Sequence, residues 1–227
     1  MDAKSFDRDR QTGSQRLPVI STMNSNTPTK PRLLVIAGPN GAGKTTVTEQ
    51  GLAHEWFAGC DYINPDLIAR DEFGDWNSPQ AILKAAQLAA QRREDCLENG
   101  RSLAFETVFS APDKIDFLHR AHLEGYFIRL FFVATADPAI NASRVARRVM
   151  QGGHDVPITK IITRYFRSIA QCSVVAPWVD RLYLYDNSID EAEATLILRA
   201  NKGKIHKLYQ AAPEWMSPII EVLETGY

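Results

Sequence analysis

The stretch that decides the fold is RLLVIAGPNGAGKTT, residues 32–46, in which an apolar run leads into a glycine-rich loop. The run Leu33–Ile36 predicts a buried strand directly before the loop. Thr45–Gln50 predicts a helix after it, and the N-terminus of such a helix favours anionic groups. A strand, a glycine loop and a helix in this order are typical of a site that holds phosphates.

The loop itself fits the pattern G-x-x-x-x-G-K-[ST], with Gly38, Gly43, Lys44 and Thr45 in the defined positions. In this pattern the backbone N–H groups cradle phosphates, the lysine reaches the outer phosphates, and the threonine hydroxyl ligates Mg²⁺. The sequence therefore predicts binding of ATP with Mg²⁺, with Thr45 as the metal-ligating side chain. The expected ATP contacts are Gly38, Pro39, Asn40, Gly41, Ala42, Gly43, Lys44, Thr45 and Thr46.

Composition limits the partners that this chain of 227 residues is expected to have. Its 26 basic residues nearly balance its 27 acidic residues, which favours a small-molecule substrate and argues against long nucleic acid or an anionic membrane. Three widely spaced cysteines lack the close pairs of a zinc or redox site. No apolar stretch approaches the ~20 residues of a membrane span. We expect a cytoplasmic protein.

Predicted strands and helices alternate along the chain, which favours βαβ units and a parallel sheet with ligands at the carboxyl ends of its strands. We expect an α/β, three-layer P-loop NTPase kinase fold with a five-stranded, mainly parallel sheet, helices on both faces and a helical lid. Residues 1–30 are expected to form a flexible leader, and residues 31–227 a single domain. Within it we expect the lid at about 138–168 and a helical C-terminal part at about 189–227.

The second predicted strand ends in Asn64-Pro65-Asp66, which places a carboxylate at the strand end. If the sheet is ordered as in small kinases, this strand lies beside the P-loop strand. Asp66 is then a candidate general base for an alcohol substrate, with Asn64 near the same substrate. The alternative is that Asp66 serves as the N-cap of the helix that follows it.

The third predicted strand ends in Glu106 and Thr107. A carboxylate and a hydroxyl at this position would suit substrate hydroxyl groups or a magnesium-bound water. A solvated glutamate at the end of a strand is the alternative, because loops are polar for many reasons.

Arginines recur in the segment expected to form the lid. Arg144, Arg147 and Arg148 lie on one predicted helix, and Arg164 lies on the next. Arginine forks match phosphate oxygens and can neutralise charge in a transition state, so a lid over the triphosphate is one interpretation. A solvated basic face is the other. His154, in the GGHDVP segment between the two helices, is a candidate phosphate donor or a histidine bonded to nearby backbone.

The fifth predicted strand ends in LYLYDNS, residues 182–188, which looks like a Walker B strand followed by its carboxylate. Its late position in the chain argues against that role. There the loop would flank the base of ATP, and Asn187 could hydrogen-bond the base. An ordinary Asp-Asn turn is the alternative.

Four ordered motifs, GPNGAGKTT, YINPD, FETVFS and RVARRVMQGGHDVP followed by ITRYFRS, resemble the zeta toxin family from about Leu33 to Ser188. The GGHDVP segment resembles the compact, chromosomally encoded branch. The resemblance implies a small P-loop kinase that phosphorylates UDP-N-acetylglucosamine and acts as a toxin, with an antitoxin as protein partner. It also implies that Lys44 and Thr45 hold ATP and magnesium, that Asp66 is the base, and that Glu106 and Thr107 face the substrate.

The lid departs from the family pattern in one position. Arg148 matches the first lid arginine, but His154 stands where longer family toxins carry a second one, so either His154 or Arg164 would replace it. Histidine is a less dependable cation near neutral pH. Other readings of the whole chain are a kinase of an NAD-like metabolite or of a nucleic-acid end, a nucleotide-switched binding ATPase, and an inactive scaffold.

Overall fold

The structure, a computed structural model, describes residues 30–52, 54–74, 78–151 and 156–226. Its centre is a seven-stranded sheet of order β2-β3-β1-β4-β5-β6-β7. The strands are β1 Arg32–Ala37, β2 Asp61–Ile63, β3 Leu103–Thr107, β4 Phe127–Ala134, β5 Arg181–Asp186, β6 Thr195–Asn201 and β7 Lys204–Leu208. The first five are parallel, and β6 and β7 are antiparallel to their neighbours.

Helices lie on both sides of the sheet, as the α/β alternation predicts. They are α1 Lys44–Leu52, α2 Pro65–Phe73, α3 Pro79–Glu98, α4 Asp113–Leu123, α5 Pro138–Met150, α6 Ile158–Val175 and α7 Ser217–Thr225, with 3-10 turns at Glu55–Phe57 and Glu214–Met216. The main core packs one sheet face against α3, α4, α6 and α7. A smaller cluster on the other face includes Phe57 of the first 3-10 turn together with Phe131 and Tyr183.

The five predicted strands are all present, but the sheet has seven strands rather than five. The two additional strands occupy residues 195–208, inside the part that we expected to be helical. The residues of β6 explain the error, because Thr195 and Ile197 are β-branched and favour strands. Lys202 and Gly203 have φ values of 46° and 72°, the left-handed pair that a two-residue hairpin turn requires. Helix is confined to the last part of this segment.

The position expected for the second strand is also wrong. β2 pairs with β3, and β3 pairs with β1, so one strand separates β2 from the P-loop strand. β3 is therefore the strand whose carboxyl end lies beside the glycine loop. This order brings Glu106 closer to the loop than the sequence suggested, and it leaves Asp66 one strand further away.

Candidate active site

The glycine loop connects β1 to α1 at the carboxyl edge of the sheet. The Lys44 Nζ donates a hydrogen bond to the Pro39 carbonyl oxygen at 3.0 Å, which folds the lysine over the loop. Close packing explains why the pattern needs glycine: a Cβ on Gly38 would lie 2.0 Å from the Val133 carbonyl oxygen. A Cβ on Gly43, whose φ is 87°, would lie 2.2 Å from the Asn187 Nδ2. The loop is therefore held by β4 and by the segment after β5.

Three charged side chains act on the amine of Lys44. The pKa of Lys44 is lowered from 10.5 to about 8, mainly by burial; the carboxylates of Glu106 and Asp66 raise it in part, and the positive charge of Arg148 lowers it. Charges carried by β3, α2 and α5 thus all act on one ammonium group. The fold brings together residues that lie as far apart in the sequence as Lys44 and Arg148.

Glu106 connects the glycine loop to β2 through hydrogen bonds. Its Oε1 accepts from the Tyr62 hydroxyl at 2.8 Å, and its Oε2 accepts from the Thr45 hydroxyl at 3.4 Å. The Asn64 Nδ2 in turn donates to the Tyr62 oxygen at 3.0 Å. Burial and the charge of Glu106 raise the pKa of Tyr62, which keeps its phenol protonated as the donor. The solvated alternative for Glu106 is therefore wrong.

The Thr45 hydroxyl and Glu106 carboxylate together fit a magnesium ion. The described residues contain no cluster of three or more His, Cys, Asp or Glu side chains that could hold a metal by themselves. Mg²⁺ in nucleotide sites is commonly held by one or two protein oxygens, by waters and by phosphate oxygens. The Thr45 hydroxyl at the start of α1 and the neighbouring Glu106 carboxylate at the end of β3 match this pattern.

Asp66 is not the N-cap of α2. The cap is Asn64, whose Oδ1 accepts from the backbone N–H of Asp66 at 2.8 Å. Asp66 instead lies in the first turn with an exposed carboxylate, and within the described residues that carboxylate accepts no hydrogen bond. The capping alternative is thus wrong, and the side chain of Asp66 stays available. Both polar atoms of the Asn64 amide are engaged, one by the helix and one by Tyr62.

Thr107 shapes the turn that follows β3. Its hydroxyl accepts a hydrogen bond from the backbone N–H of Phe109 at 3.0 Å, and its carbonyl oxygen accepts from Gly38 at 3.2 Å. Phe109 is buried with a φ of 57°, so the turn is tight and fixed. The proton of the Thr107 hydroxyl remains available to a ligand.

The arginines of the lid segment have different surroundings. Arg144 donates to Asp190 and to the carbonyl oxygens of Asn187 and Ile189, and Arg147 donates to the same Asp190. These two arginines link α5 to the loop after β5 through hydrogen bonds and ion pairs. Arg148, in contrast, forms no hydrogen bond or ion pair within the described residues, although its charge acts on Lys44.

Arg164 reaches the glycine loop from α6. Its Nη1 donates to the Asn40 Oδ1 at 3.3 Å, while the buried Asn141 of α5 donates from Nδ2 to the Asn40 carbonyl oxygen at 2.6 Å. Both lid helices therefore contact the tip of the loop through Asn40. His154 lies outside the described residues, so between the two proposed substitutes for the second arginine only Arg164 can be placed.

Asn187 lies against the glycine loop as well as beside a cleft. Its Nδ2 donates to the Ala42 carbonyl oxygen at 2.9 Å. The cleft measures about 510 Å³ and is lined by Gly43, Thr46 and Asn187 among others. Asp186 accepts hydrogen bonds from Ser188 and from the Trp215 indole, which agrees with the doubt about a Walker B role. Contact between Asn187 and a nucleotide base stays a prediction.

Sequence reasoning missed two residues of this site. Tyr62 lay in a short strand whose alternation was too brief to indicate which side chains face the glycine loop. Asn141 lay in the arginine helix as a single polar residue, and its complete burial is the feature that marks it. A buried asparagine in a helix needs hydrogen-bond partners, which here are the glycine loop and Thr135.

The parallel sheet, the glycine loop and the overlying arginine helices define the fold of P-loop kinases. A family model described as zeta toxin matches residues 19–188. The chain belongs to the zeta toxin family. A search of curated proteins finds no match. Among the described helices, none combines the length and the apolar character that crossing a bilayer requires.

Solved structures share this fold at low sequence identity. One chain from the PezAT chromosomal toxin-antitoxin system of Streptococcus pneumoniae has a TM-score of 0.58 and 14% identity, covering 91% of this chain and 83% of that chain. A chain of the AvrRxo1-ORF1:-ORF2 complex solved with ATP has a TM-score of 0.59 and 17% identity, covering 86% of this chain and 64% of that chain. A chain of the same complex solved with sulphate ions has a TM-score of 0.58 and 14% identity, covering 87% of this chain and 77% of that chain.

Proposed function

We propose that the protein is an ATP-dependent kinase that transfers the γ-phosphoryl group of ATP to a hydroxyl of a nucleotide sugar such as UDP-N-acetylglucosamine. The observation that carries this proposal is the hydrogen bond that places Glu106 beside Thr45 at the glycine loop, together with the charges of Asp66 and Arg148 that act on the amine of Lys44. Phosphoryl transfer needs cradled phosphates, positive charge on the migrating group and a residue that orients the attacking oxygen. The site offers one group for each need.

Each residue has a proposed role in the transfer. The loop from Gly38 to Gly43 and the ammonium of Lys44 hold the phosphates of ATP. Arg148 adds positive charge to the migrating group, because it has no protein partner in the described residues to compete for its guanidinium. Arg164 and His154 are the two candidates for a second cation. Arginine is the better suited, since its charge does not depend on pH near neutrality.

Asp66 is the proposed general base. Its exposed carboxylate lies in the first turn of α2, where the backbone is fixed by the Asn64 cap. The carboxylate would accept the proton of the acceptor hydroxyl while that oxygen forms its bond to the γ-phosphorus and the bond to ADP breaks. Glu106, Thr107 and Asn64 line the same edge of the sheet and are the proposed contacts to the acceptor.

Magnesium has a proposed place between Thr45 and Glu106. A bound Mg²⁺ would supply positive charge to the phosphate oxygens. The Thr45 hydroxyl would bind it directly, and Glu106 would hold its water shell or bind it. The hydrogen bond from Tyr62 fixes the Glu106 carboxylate in this position.

The decisive experiment measures transfer with purified protein, ATP and Mg²⁺. We expect UDP-N-acetylglucosamine to gain the mass of one phosphate, and Asp66→Asn to abolish the gain while ATP affinity stays within about twofold. Asp71→Asn is the matched control, since Asp71 is exposed on the same helix. Full transfer by the Asp66 variant would remove Asp66 from the mechanism. Other UDP-sugars, NAD and oligonucleotide ends serve as alternative acceptors in the same assay.

The toxin role is a separate part of the proposal. Family membership supports a cytoplasmic toxin that is held inactive by an antitoxin partner, in line with the PezAT toxin-antitoxin system to which the fold is similar. Growth arrest on expression, relieved by Lys44→Ala, would support this role. ATP hydrolysis without phosphorylation of any acceptor would favour the nucleotide-switched ATPase instead.

A further inference from the structure

One face of the sheet carries cations on four neighbouring strands. Arg129 of β4 and Arg181 of β5 are register partners, Arg199 of β6 pairs with Tyr183 of β5, and Lys207 of β7 pairs with Arg199. We call Arg129, Arg181, Arg199 and Lys207 the cationic face. Because Arg181 begins β5 and Arg129 lies in the first half of β4, the face is separated from the active site at the carboxyl ends of these strands.

Among the described residues, no carboxylate forms an ion pair with the cationic face. Within residues 30–226, as far as they are described, none of its four members forms an ion pair, and Arg181 donates only to the backbone oxygen of Asp180 at 2.8 Å. Arginines on the helices behave differently: Arg120 binds Glu94 at 2.7 Å. Unneutralised cations side by side repel each other, so the arrangement favours an anionic ligand.

Unsatisfied polar atoms lie on the same face. The described residues contain three buried side-chain polar atoms without a hydrogen-bond partner: the Nε of Arg129, the Nε of Arg199 and the Oδ1 of Asn201. Arg199 and Asn201 alternate onto the same side of β6. Buried polar groups in folded proteins are normally hydrogen-bonded. Their concentration here marks this face as the part of the described structure where polar side chains are left without protein partners.

Aromatic rings orient these cations. The guanidinium of Arg129 lies 4.3 Å from the Trp56 ring centre, and the ammonium of Lys207 lies 4.5 Å from the ring centre of Tyr209. Arg181 lies 5.5 Å from the centre of Phe127. A guanidinium held over a ring keeps its N–H edge free for a bidentate acceptor. Tyr209 is 39% exposed and offers a ring face to a base.

We propose that the cationic face binds the phosphodiester backbone of single-stranded nucleic acid. Adjacent strands lie about 4.8 Å apart, so the four cations form a track across the sheet. Cations that follow a backbone, interleaved with aromatic rings on which bases stack, are the recurring features of single-strand sites. The exposed ring of Tyr209 at the end of this track favours nucleic acid over an acidic protein segment, which needs no stacking surface. The overall charge of −1 does not oppose this, because the charge is local.

The test measures binding of a fluorescein-labelled single-stranded oligouridylate to the full chain by anisotropy, with saturating ADP present to occupy the glycine loop. We expect the double variant Arg181→Gln, Arg199→Gln to weaken binding at least ~10-fold. We also expect it to reduce the slope of log K against log salt by about 1.4, the value for two phosphate contacts. Arg120→Gln is the matched control, because it removes one charge from a helix on the opposite side of the sheet.

Two further measurements test whether the loss of binding comes from the lost charge and whether the ligand is a nucleic acid. The double variant Arg181→Lys, Arg199→Lys keeps the charge, so it should retain the salt slope while losing some affinity. Unlabelled oligouridylate should displace the probe, and polyglutamate at equal charge should not. The proposal would be overturned if the wild-type chain did not bind the probe at low salt, or if the glutamine variant bound it equally well. Displacement of the probe by polyglutamate would also overturn it.

Discussion

The Tyr62 hydroxyl donates a 2.8 Å hydrogen bond to Glu106, and so one residue of β2 holds the carboxylate that faces the glycine loop from β3. The other oxygen of Glu106 accepts from Thr45. Glu106 therefore lies between the side chain proposed to hold magnesium and the strand proposed to face the acceptor. Its orientation is set by a phenol that no pattern in the sequence singles out.

Tyr62→Phe tests this link. Removing the hydroxyl leaves Glu106 and Asn64 without their shared partner, so we expect the free energy of unfolding to fall by about 1 kcal/mol. We also expect the KM for the acceptor to rise several-fold, because Glu106 is free to turn. Urea unfolding and steady-state kinetics measure the two effects. Tyr126→Phe removes a hydroxyl that hydrogen-bonds the carbonyl oxygens of Cys96 at 2.7 Å and Arg101 at 3.1 Å, away from the site, and should change stability alone. An unchanged KM in the Tyr62 variant would contradict the link.

ATP affinity should depend on the titration of Lys44. The pKa of Lys44 in the free protein is about 8, and bound phosphates favour the ammonium, so the pKa must rise when ATP binds. Below about pH 8 the lysine is charged in both states and no proton is taken up. Above that pH, binding takes up a proton, and affinity falls by as much as ~10-fold per pH unit until the pKa of the complex is reached.

Calorimetry in buffers of different ionisation enthalpy measures this proton uptake. Lys44→Arg keeps a charge that does not titrate in this range, so its ATP affinity should lack the pH dependence. Equal pH dependence in the two proteins would show that another group titrates.

Gly41→Ala should show the cost of crowding at the loop. Gly41 has a φ of 76°, and a Cβ there would lie 2.6 Å from the Asn141 carbonyl oxygen of α5. Gly125 has a similar φ of 80° but open space around it. Gly125→Ala should therefore cost about 1–2 kcal/mol from the backbone conformation alone. Gly41→Ala should cost clearly more and also weaken ATP binding. Urea unfolding of both variants gives the comparison, and equal costs would refute the role of Asn141.

The three arginines of α5 should respond differently to removal. Arg148→Ala should leave stability within about 0.5 kcal/mol, since its side chain has no partner in the described residues, yet reduce kcat by about 100-fold or more. Arg147→Ala, at the neighbouring position, should change neither the stability nor kcat strongly, because the ion pair of Arg147 with Asp190 is exposed. Arg144→Ala should lower stability by about 1–3 kcal/mol through its three lost hydrogen bonds. A kcat loss in the Arg147 variant equal to that in the Arg148 variant would contradict the assignment.

Local patterns predicted most of the fold, and tertiary contacts explain what they did not predict. The glycine loop and the five parallel strands followed from apolar runs and turn residues. The strand order β2-β3-β1 could not be predicted in this way, because it depends on how the crossover helices pack and not on the sequence of any one strand. β6 and β7 were missed because a short antiparallel hairpin has no helix between its strands to continue the alternation.

In the site, too, local patterns predicted some residues and tertiary contacts determine the others. Lys44 and Thr45 could be predicted because their roles belong to a contiguous pattern. The separate environments of Arg144, Arg147 and Arg148 could not, since they depend on Asp190, which lies more than forty residues later in the chain. The cap of α2 was assigned to Asp66 as an alternative because aspartate and asparagine are both common caps, and only the backbone angle of Asn64 decides between them.

The strand order has a consequence for how the enzyme would acquire new substrates. The end of β1 forms the proposed donor pocket, the ends of β2 and β3 form the proposed acceptor pocket, and Glu106 lies where the two meet. Substitutions along β2 and the start of α2 can therefore reshape the acceptor pocket while the phosphate loop keeps its backbone. The architecture separates the choice of acceptor from the supply of phosphate, so that one could be exchanged without rebuilding the other.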